Sequence, residues 1–439
     1  MAEQITALPE TLPRPRVDPQ RLAWGVLLAA FAVFCMICVI TGVGVNYFLF
    51  RSSVPIEASV EVGKGTVIVT GRPVRQEFDV TNSDELSTDA QTQATLFFRD
   101  FQQDGRLIAS VTIRGNNNLT LWRALRPRFN WGTDSYSIEL QDVSGNLDVF
   151  IPKGLSRDLR LTIRSPQGAL ADFGASGQYA VSISDTQMRV VNREGQVSLI
   201  TANSNLGRAI PPDSQGTIIT DAPTEVALSS ALTNLLRNST FQDVIVAQDG
   251  STGTQGLAEA WACTNSTTNL PRGSYQAEMQ DGRYLLRLVR AENAQTNGET
   301  RCGTWFPNGG HDVTPLTTLV LRTSFNIQYQ SLNACGSKGS ECPLMLEVDY
   351  LDVNGIGHRW YHGFYAALDP QLNYPLSCDS CASEHERVNE KNWFTYDSGN
   401  WFTLFPPESR PATIINVQFY ASGHQYDVYV GEVALLAGS

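Results

Sequence analysis

Apolar and polar residues alternate in short runs between residues 59 and 221. Examples are ATLFFRD, SYSIELQ, LDVFIP, LRLTIRS and QMRVVNREGQVSLI, with turn-forming residues about every eight to twelve positions. A period of two places successive side chains on opposite faces of a strand, so these runs predict antiparallel strands with one buried face. Helical periods are scarce here, because the apolar spacing at residues 120–125 is too short for a helix of normal length.

Residues 22–50, LAWGVLLAAFAVFCMICVITGVGVNYFLF, contain no charged residue. A helix of about 20 apolar residues crosses a hydrocarbon core of about 30 Å, so this segment is long enough to span a bilayer. Trp24 and Tyr47 lie near its ends, where aromatic rings favour the membrane interface. A cleaved signal peptide would have an apolar stretch of about 7–15 residues and a small-residue cleavage site. We therefore interpret the segment as an uncleaved transmembrane helix in contact with the lipid bilayer.

Positive charges on the two sides of this segment predict its orientation. Arg14, Arg16 and Arg21 precede it, whereas only Arg51 follows closely. Because an excess of Lys and Arg marks the cytoplasmic side, we expect a single-pass plasma-membrane protein whose C-terminal domains are extracytoplasmic. Residues 1–21 are rich in proline and lack an apolar period, so we expect a short disordered cytoplasmic tail.

The composition narrows the classes of function. The chain has 32 Lys and Arg residues against 44 Asp and Glu residues, a net charge of −12, and it lacks a basic stretch that could follow a phosphate backbone. We therefore expect no nucleic-acid partner. The abundance of Gly, Ser, Thr and Asn is typical of an all-β outer region with many turns.

A glycine-rich segment, RSPQGALADFGASGQYAV, covers residues 164–181. A phosphate-binding loop needs glycines between a strand and a helix. Here Gly168, Gly174 and Gly177 are followed by QYAVSIS, which has the alternation of a strand. The glycines therefore predict turns and close approaches between strands.

The same stretch, extended to residue 199, resembles the core of the FecR domain, the extracytoplasmic part of bacterial iron-dicitrate-type sensor regulators. The matching positions are Ser165-Pro166, Ala169, Gly177 to Tyr179, and Val190 to Val197. The resemblance implies a FecR-like antiparallel β-domain at residues 59–221. Regulators of this family contact a sigma factor through a longer cytoplasmic domain than residues 1–21 provide, so the resemblance implies the fold more than the function.

Residues 222–234 contain Pro223 followed by a short helical period, and we interpret them as a linker. Residues 235–439 begin and end with segments, NLLRNSTFQD and YDVYVGEVALLAG, that resemble the ends of galactose-binding-like jelly-roll modules, a class that includes carbohydrate-binding modules. Within PLMLEVDYLDV, Glu347 and Asp349 alternate with apolar residues, which predicts a strand with one buried and one wet face. The fold expected for this domain is a jelly-roll β-sandwich.

Six of the eight cysteines lie in this last domain, and the other two, Cys35 and Cys38, lie in the apolar segment. An even number of cysteines in an exported domain predicts disulfides, although the sequence leaves the connectivity open. We expect pairing in sequence order, namely Cys263–Cys302, Cys335–Cys342 and Cys378–Cys381.

The spacing of Cys378, Cys381 and His385 is also compatible with a zinc site. A fourth ligand would come from His358, His362 or His424. Zinc binding requires reduced thiols, so an oxidising compartment favours the disulfide.

The segment HRWYHGFY places His358, Trp360 and His362 on one face of a strand. An aromatic face can stack on a sugar ring while imidazoles bind hydroxyl groups, so these residues, with Trp305 and Trp393, are candidate glycan ligands. The alternative interpretation assigns Trp360 to the core and the histidines to its rim.

Jelly-roll modules of this type often hold a structural calcium ion through loop carbonyls and an Asp or Glu. Asp243 in TFQD and Glu432 near the end of the chain would lie close together if the first and last strands pair. They are the candidate ligands of a possible structural calcium, and the sequence suggests no other cofactor.

The sequence contains no nucleophile elbow and no HExxH motif, and we identify no catalytic residue. We therefore expect a membrane-anchored, non-enzymatic binding protein. Its FecR-like domain would form a stalk, and the jelly-roll domain at the tip of this stalk would recognise glycan or another envelope component. Two alternatives are a transmembrane signalling regulator of the FecR type and a structural subunit that associates through exposed sheet edges.

Overall fold

The structure, a computed structural model, describes residues 19–132, 134–204, 207–219, 225–245, 257–258, 260–266, 269–290 and 293–439. The chain forms two compact units. One contains the chain up to Val54 together with Pro127–Asp134, and the other contains Pro55–Arg126 together with Ser135–Ser439.

The first unit is dominated by helix α1 (Pro19–Phe50), which begins three residues before the apolar segment. At 1.5 Å per residue its 32 residues extend about 48 Å. Its most apolar window has a mean hydropathy of 2.8, and none of this window is buried. The described chain thus has one helix long and apolar enough to cross a membrane.

The strands of the N-terminal β-region carry the alternation seen in the sequence, with buried residues at every second position in much of their length. They are β1 (Ser53–Pro55), β2 (Glu57–Lys64), β3 (Val67–Val69), β4 (Arg72–Val74), β5 (Phe78–Val80), β6 (Glu85–Thr88), β7 (Gln93–Asp100), β8 (Arg106–Ile113), β9 (Asn118–Pro127), β10 (Tyr136–Ile151), β11 (Leu159–Arg164), β12 (Leu170–Phe173), β13 (Gly177–Ile183), β14 (Gln187–Glu194), β15 (Val197–Ile200), β16 (Arg208–Ile210), β17 (Ser214–Ile219) and β18 (Ala227–Ser230).

These strands pair into two sheets that share the long strand β10. The order in the first sheet is β4-β3-β6-β9-β10-β11-β12-β15-β16. The order in the second sheet is β5-β2-β7-β8-β10-β13-β14-β17-β18. The pairing of β10 with β11 is parallel, and the other pairings are antiparallel. Apolar side chains from both sheets form one hydrophobic core, which runs in sequence from Ile56 to Val226.

The chain passes between the two sheets at tight corners. Gly65 (φ 81°) lies between β2 and β3, and Gly195 (φ 110°) lies between β14 and β15. Glycine reaches these φ values without the steric cost that a side chain imposes. Gly177, at the corner between β12 and β13, lies so close to Glu194 that a Cβ atom would overlap the Glu194 carbonyl. The glycine-rich segment therefore forms turns and close backbone approaches, as the sequence predicts.

The C-terminal β-region contains β19 (Thr233–Asn234), β20 (Val244–Ile245), β21 (Leu257–Ala258), β22 (Ala262–Asn265), β23 (Ser274–Gln280), β24 (Arg283–Arg290), β25 (Gly298–Trp305), β26 (His311–Asp312), β27 (Thr318–Gln330), β28 (Leu344–Asp352), β29 (Gly357–Tyr365), β30 (Glu386–Arg387), β31 (Trp393–Asp397), β32 (Pro411–Gly423) and β33 (Tyr426–Gly438). A short helix α2 (Trp401–Leu404) follows β31, and 3-10 turns lie at Phe101–Gln103, Pro307–Gly309, Pro370–Leu372 and Pro407–Ser409.

Two further sheets form a sandwich in this region. The third sheet has the order β23-β24-β33-β27-β31, with β19 also on β33, and the fourth has the order β22-β25-β32-β28-β29-β30, with β26 also on β32. β19 pairs with β33, so the start of the region lies beside its end. A core from Leu236 to Ala437 fills the space between the sheets. The structure confirms the predicted fold class, an N-terminal apolar helix followed by β-sandwich sheets.

Disulfides join Cys263 to Cys302, Cys335 to Cys342, and Cys378 to Cys381. This is the pairing expected from sequence order. The first joins β22 to β25 at directly paired positions, so it ties the edge strand β22 to the fourth sheet.

The expected linker at residues 222–234 lies partly outside the described residues. Its described part forms β18 and β19, which extend the second and third sheets.

The outer face of the second sheet packs against the outer face of the third. Gln93 bridges them, since its Nε2 donates to the Thr395 carbonyl at 2.8 Å and the Thr395 amide donates to its Oε1 at 2.6 Å. Ion pairs between the two β-regions extend the contact: Lys64–Glu386, Arg99–Asp281, Arg322–Asp148 and Arg193–Glu432.

We predict that Gly177→Ala lowers the free energy of unfolding by about 1–3 kcal/mol, because the new Cβ would displace the backbone of Glu194. Gly174→Ala is the matched control, since no atom lies within 4 Å of its Cβ position. The change expected for the control is below about 1 kcal/mol. Thermal unfolding of the full chain in detergent, followed by circular dichroism, measures both. Equal effects of the two substitutions would contradict the close approach at Gly177.

We predict a pH-dependent stability from Glu61 on β2. Burial, reinforced by Glu77, raises the pKa of Glu61 from 4.5 to about 7. A raised carboxyl pKa contributes stability that is complete below pH 4.5 and is lost as the pH rises through 7. Glu61→Gln should therefore flatten the fall in melting temperature between these values and stabilise the protein by about 1–3 kcal/mol above pH 7. The exposed Glu57→Gln on the same strand should keep the wild-type profile, and a wild-type profile in Glu61→Gln would refute the assignment.

Candidate functional site

The outer face of the fourth sheet concentrates polar and aromatic side chains, because strands β25, β32, β28 and β29 each place polar residues at every second position. We call this surface the polar face. Its residues are Arg301, Gly303, Trp305, Asn416, Gln418, Glu347, Asp349, Arg359 and Tyr361.

Strand register aligns these side chains in two rows across the sheet. In one row Gly303 is paired with Gln418, Gln418 with Glu347, and Glu347 with Tyr361. In the neighbouring row Trp305 is paired with Asn416, Asn416 with Asp349, and Asp349 with Arg359. Directly paired residues on one face have Cβ atoms about 4.5–5.5 Å apart, so the side chains of each row can interact.

Side-chain hydrogen bonds link the two rows along β32. Arg301 Nη1 donates to Gln418 Oε1 at 3.0 Å, and Gln418 Nε2 donates to Asn416 Oδ1 at 2.9 Å. Asn416 Nδ2 then donates to Asp349 Oδ2 at 2.8 Å. The two amide side chains are almost fully buried, so their orientation is fixed by these bonds.

Arg359 and Glu347 close this chain of contacts into a ring. Arg359 Nε lies 2.5 Å from Asp349 Oδ1 and 3.2 Å from Glu347 Oε1. Arg301 Nη1 lies 2.5 Å from Glu347 Oε2. The ring therefore returns to Arg301, and every member contacts its two neighbours through a polar atom.

Neighbouring acidic groups stabilise the charged forms of the two arginines in the ring. Burial opposes protonation of Arg301, but Glu299 and Glu347 outweigh it and raise its pKa above the ordinary value. The hydrogen bond to Asp349 raises the pKa of Arg359. Each arginine uses Nε and Nη1, and the described residues provide no hydrogen-bond partner for either Nη2. These two groups are therefore available to a ligand.

Trp305 lies beside the ring of polar contacts, and its side chain is 54 % exposed. A Cβ atom on Gly303 would lie 2.9 Å from the Trp305 ring and 2.8 Å from Gln418. The absence of a side chain at Gly303 thus lets the indole lie close over the sheet beside the ring of polar contacts. The result is an exposed aromatic surface next to fixed hydrogen-bonding groups.

A cluster of loops covers the other end of the fourth sheet's outer face. Tyr420 and Met345 pack there with the Cys335–Cys342 disulfide and Tyr365. Arg301 lies over the Tyr420 ring, with its guanidinium 4.3 Å from the ring centroid. The disulfide-bonded loops therefore border the polar face on one side and leave its Trp305 side open.

The predicted ligand residues of β29 lie on the opposite face of the strand. Trp360 and His362 are 8 % and 6 % exposed and pack inside the sandwich, where His362 stacks on Tyr396 with ring centroids 4.7 Å apart. His358 is partly exposed, and its Nε2 lies 2.9 Å from Asp352 Oδ2. The sugar-platform interpretation of this face is corrected to the core interpretation, because Trp401 of α2 packs on Trp360 and Tyr396 of the third sheet packs on His362.

The other two predicted ligand residues have different surroundings. Trp393 faces the N-terminal β-region, where the guanidinium of Arg283 lies 4.5 Å from its ring centroid. Trp305 belongs to the polar face. Of the five predicted ligand residues, Trp305 is the one that the structure places there.

His385 lies near two disulfides, within 4.8 Å of the Cys378 and Cys381 sulfur atoms. Its Nδ1 accepts a hydrogen bond from the Gly363 amide at 2.9 Å, and its Nε2 lies 2.6 Å from the Gly339 carbonyl oxygen. Burial lowers the pKa of His385, which favours the neutral imidazole that these two bonds require. With both nitrogens bonded and the sulfurs joined, these residues do not fit a zinc site.

The predicted calcium ligands Asp243 and Glu432 have separate partners. Glu432 Oε2 lies 3.2 Å from Arg322 Nε, and its Oε1 lies 3.3 Å from Arg193 Nη1. Asp243 is exposed, and its amide donates to Asn238 Oδ1. A cation at Glu432 would have to displace an arginine, so this donor set does not fit calcium.

No protein-family model matches the chain, and a search of curated proteins finds no significant match. Among solved structures, the chain is similar to the family 11 carbohydrate-binding module of the cellulase Lic26A-Cel5E of Clostridium thermocellum (TM-score 0.27, 11 % identity, 48 % of this chain and 97 % of that chain). It is also similar to TmCBM61 in complex with β-1,4-galactotriose (0.24, 8 %, 47 % and 99 %) and to a proposed anti-sigma factor from Parabacteroides distasonis (0.23, 14 %, 37 % and 66 %). TM-scores this low do not establish a common fold, and the FecR resemblance stays a prediction.

The sequence contains a partial signal for the polar face. Glu347 and Asp349 alternate with the core residues of β28, and Arg359 and Tyr361 alternate with those of β29. This alternation assigns both pairs to a wet face. The sequence does not show that β32 lies between β25 and β28. This strand pairing places Asn416 and Gln418 on the same face as the other residues of the site.

We predict that Glu347→Gln lowers the free energy of unfolding by about 1–3 kcal/mol, because two arginines lose the charge of a carboxylate that is 2 % exposed. Glu299→Gln is the matched control: it pairs with Arg301 as well, but its side chain is 37 % exposed. Its effect should stay below about 1 kcal/mol. Urea unfolding of both variants measures the difference. An effect of Glu299→Gln as large as that of Glu347→Gln would contradict the ring.

Proposed function

We propose that the chain is a membrane-anchored, extracytoplasmic glycan-binding protein and that the polar face is its ligand site. The observation that carries this proposal is the exposed Trp305 indole beside the closed ring of polar side chains. A pyranose ring has an apolar face of C–H groups and an edge of hydroxyl groups, and these features match an aromatic surface and fixed planar donors and acceptors.

The ring supports binding because its geometry exists before a ligand arrives. Asn416 and Gln418 are already oriented, and Glu347 and Asp349 already hold both arginines. Little side-chain freedom is then lost on binding, which improves affinity for a given contact area. The free Nη2 groups of the two arginines would bind sugar hydroxyls.

The arrangement of carboxylates supports binding rather than hydrolysis. A glycosidase places two carboxylates on opposite sides of the scissile bond. Glu347 and Asp349 lie on one strand, and both contact the Nε of Arg359. Neither faces the other across a cleft, so we propose a non-enzymatic function.

Contacts at the end of α1 support the interpretation of an uncleaved anchor. Trp131 Nε1 donates to the Leu49 carbonyl at 3.2 Å, and the ring of Phe129 lies 5.6 Å from that of Phe48. Removal of α1 as a signal peptide would take away one side of these contacts. Aromatic side chains at this position are typical of the membrane interface. The three disulfides are compatible with an oxidising, extracytoplasmic location.

We predict that Trp305→Ala weakens glycan binding about 10- to 100-fold without changing the melting temperature, because an exposed aromatic anchor contributes to binding rather than to the core. Trp122→Ala is the matched control, since Trp122 is 50 % exposed on the N-terminal β-region. The full chain in nanodiscs is first applied to an array of neutral and acidic oligosaccharides. The strongest glycan is then titrated into both variants by calorimetry.

Equal affinities of Trp305→Ala and Trp122→Ala would overturn the polar face as the site. If the folded protein binds no glycan on the array, the glycan proposal is wrong. That result would favour the two alternatives, a protein that binds another envelope component or a structural subunit.

A further inference from the structure

A cavity of about 70 Å³ lies between the outer faces of the second and third sheets. Its charged lining consists of three arginines, Arg193, Arg283 and Arg322, and two carboxylates, Asp148 and Glu432. The cavity is therefore positively charged in a protein whose net charge is −12.

Two of the three arginines already have carboxylate partners. Arg322 Nη2 lies 2.9 Å from Asp148 Oδ1, and Arg322 Nε lies 3.2 Å from Glu432 Oε2. Arg193 Nη1 lies 3.3 Å from Glu432 Oε1. Burial opposes ionisation of Asp148, but Arg114 and Arg322 hold its pKa well below the ordinary value. Both carboxylates therefore already have arginine partners.

Arg283 is the exception. Its guanidinium lies 5.0 Å from the ring centroid of Phe150 and 4.5 Å from that of Trp393, between the N-terminal and C-terminal β-regions. Its Nε is buried without a hydrogen-bond partner, and within the described residues no carboxylate forms an ion pair with it. Burial lowers the pKa of Arg283, and the nearby carboxylates Asp281 and Glu432 offset this effect only in part. A charged donor that lacks an acceptor among the described residues favours the binding of an anion.

The remaining polar lining consists largely of groups that can donate hydrogen bonds. Six hydroxyl side chains face the cavity: Thr95, Ser110, Thr112, Thr240, Ser324 and Thr395. Hydroxyl donors around a guanidinium are the groups that bind a carboxylate or sulfate oxygen. The cavity is large enough to hold one such group.

A second cavity extends the positive surface. It has a volume of about 270 Å³, shares Asp148 and Arg322 with the first, and adds Arg114 and Arg189. The Nη2 atom of Arg114 is also buried without a hydrogen-bond partner. Two neighbouring cavities are thus each lined by an arginine that has a buried N–H group without an acceptor.

We propose that the cavity beside Arg283 binds the anionic group of a ligand, a carboxylate or a sulfate. The anion forms charge-assisted hydrogen bonds with Arg283 and accepts further bonds from the hydroxyl groups around it. The group belongs either to a small free anion or to an acidic saccharide such as a uronate or a sulfated sugar. This site is separate from the polar face, so its occupancy does not depend on the function proposed above.

The test is calorimetric titration of the full chain in nanodiscs with sodium acetate, sodium sulfate, glucuronate and digalacturonate. Arg283→Gln should weaken binding of the best anion about 10- to 100-fold, since it removes a charge-assisted bond. Arg287→Gln is the matched control: this arginine lies on the same strand but pairs with Asp427 and does not line the cavity. It should bind like the wild type.

Ser324→Ala is a second test that leaves every charge in place and should weaken binding by a smaller factor.

Digalacturonate bound at least tenfold more tightly than acetate would identify an acidic saccharide as the ligand, and equal affinities would identify a small free anion. Either result supports the site. Wild-type affinity in both Arg283→Gln and Ser324→Ala, or no measurable binding of any of the four anions to the wild type, overturns it. Neutral glycan binding at the polar face should be unchanged in Arg283→Gln, which separates failure of this site from failure of the proposed function.

Discussion

The packing of the second sheet on the third decides which surface of the C-terminal sandwich is open. A β-sandwich buries the inner faces of its sheets and leaves two outer faces. Here one outer face is covered, since Gln93 bonds both main-chain groups of Thr395 and ion pairs such as Arg322–Asp148 join the two regions. The outer face of the fourth sheet is left exposed, with Trp305 and Arg359 more than half accessible to solvent.

On that exposed face, charged and amide side chains are held in fixed orientations beside an aromatic side chain. Charged side chains on an exposed sheet normally move freely, and their ion pairs contribute little. On the polar face Glu347 contacts both Arg301 and Arg359, and Asp349 contacts Arg359 and the Asn416 amide of β32. An oriented polar surface next to an exposed indole is the feature on which the proposed recognition of a sugar depends.

The sequence predicts the elements better than it predicts the site. The uncharged apolar segment indicates α1, period-two alternation indicates the sheets, and short sequence separations indicate two of the disulfides, because each of these signals is local. The site depends on which strands are neighbours, which is not local. Trp360 and His362 looked like ligands because aromatic and imidazole side chains recur on one face of β29, yet a sandwich of this size buries that face. The predicted linker, residues 222–234, includes residues 227–230, which pair with the edge of the second sheet.

The central claim, that the polar face is the ligand surface, is tested most directly by hydrogen–deuterium exchange of the full chain in nanodiscs with and without saturating glycan. The account predicts slower amide exchange on ligand binding in the segments that contain Trp305, Glu347 and Arg359, and unchanged exchange in the edge strand β23 of the third sheet. Protection that is confined to other surfaces, with these three segments unchanged, would contradict it.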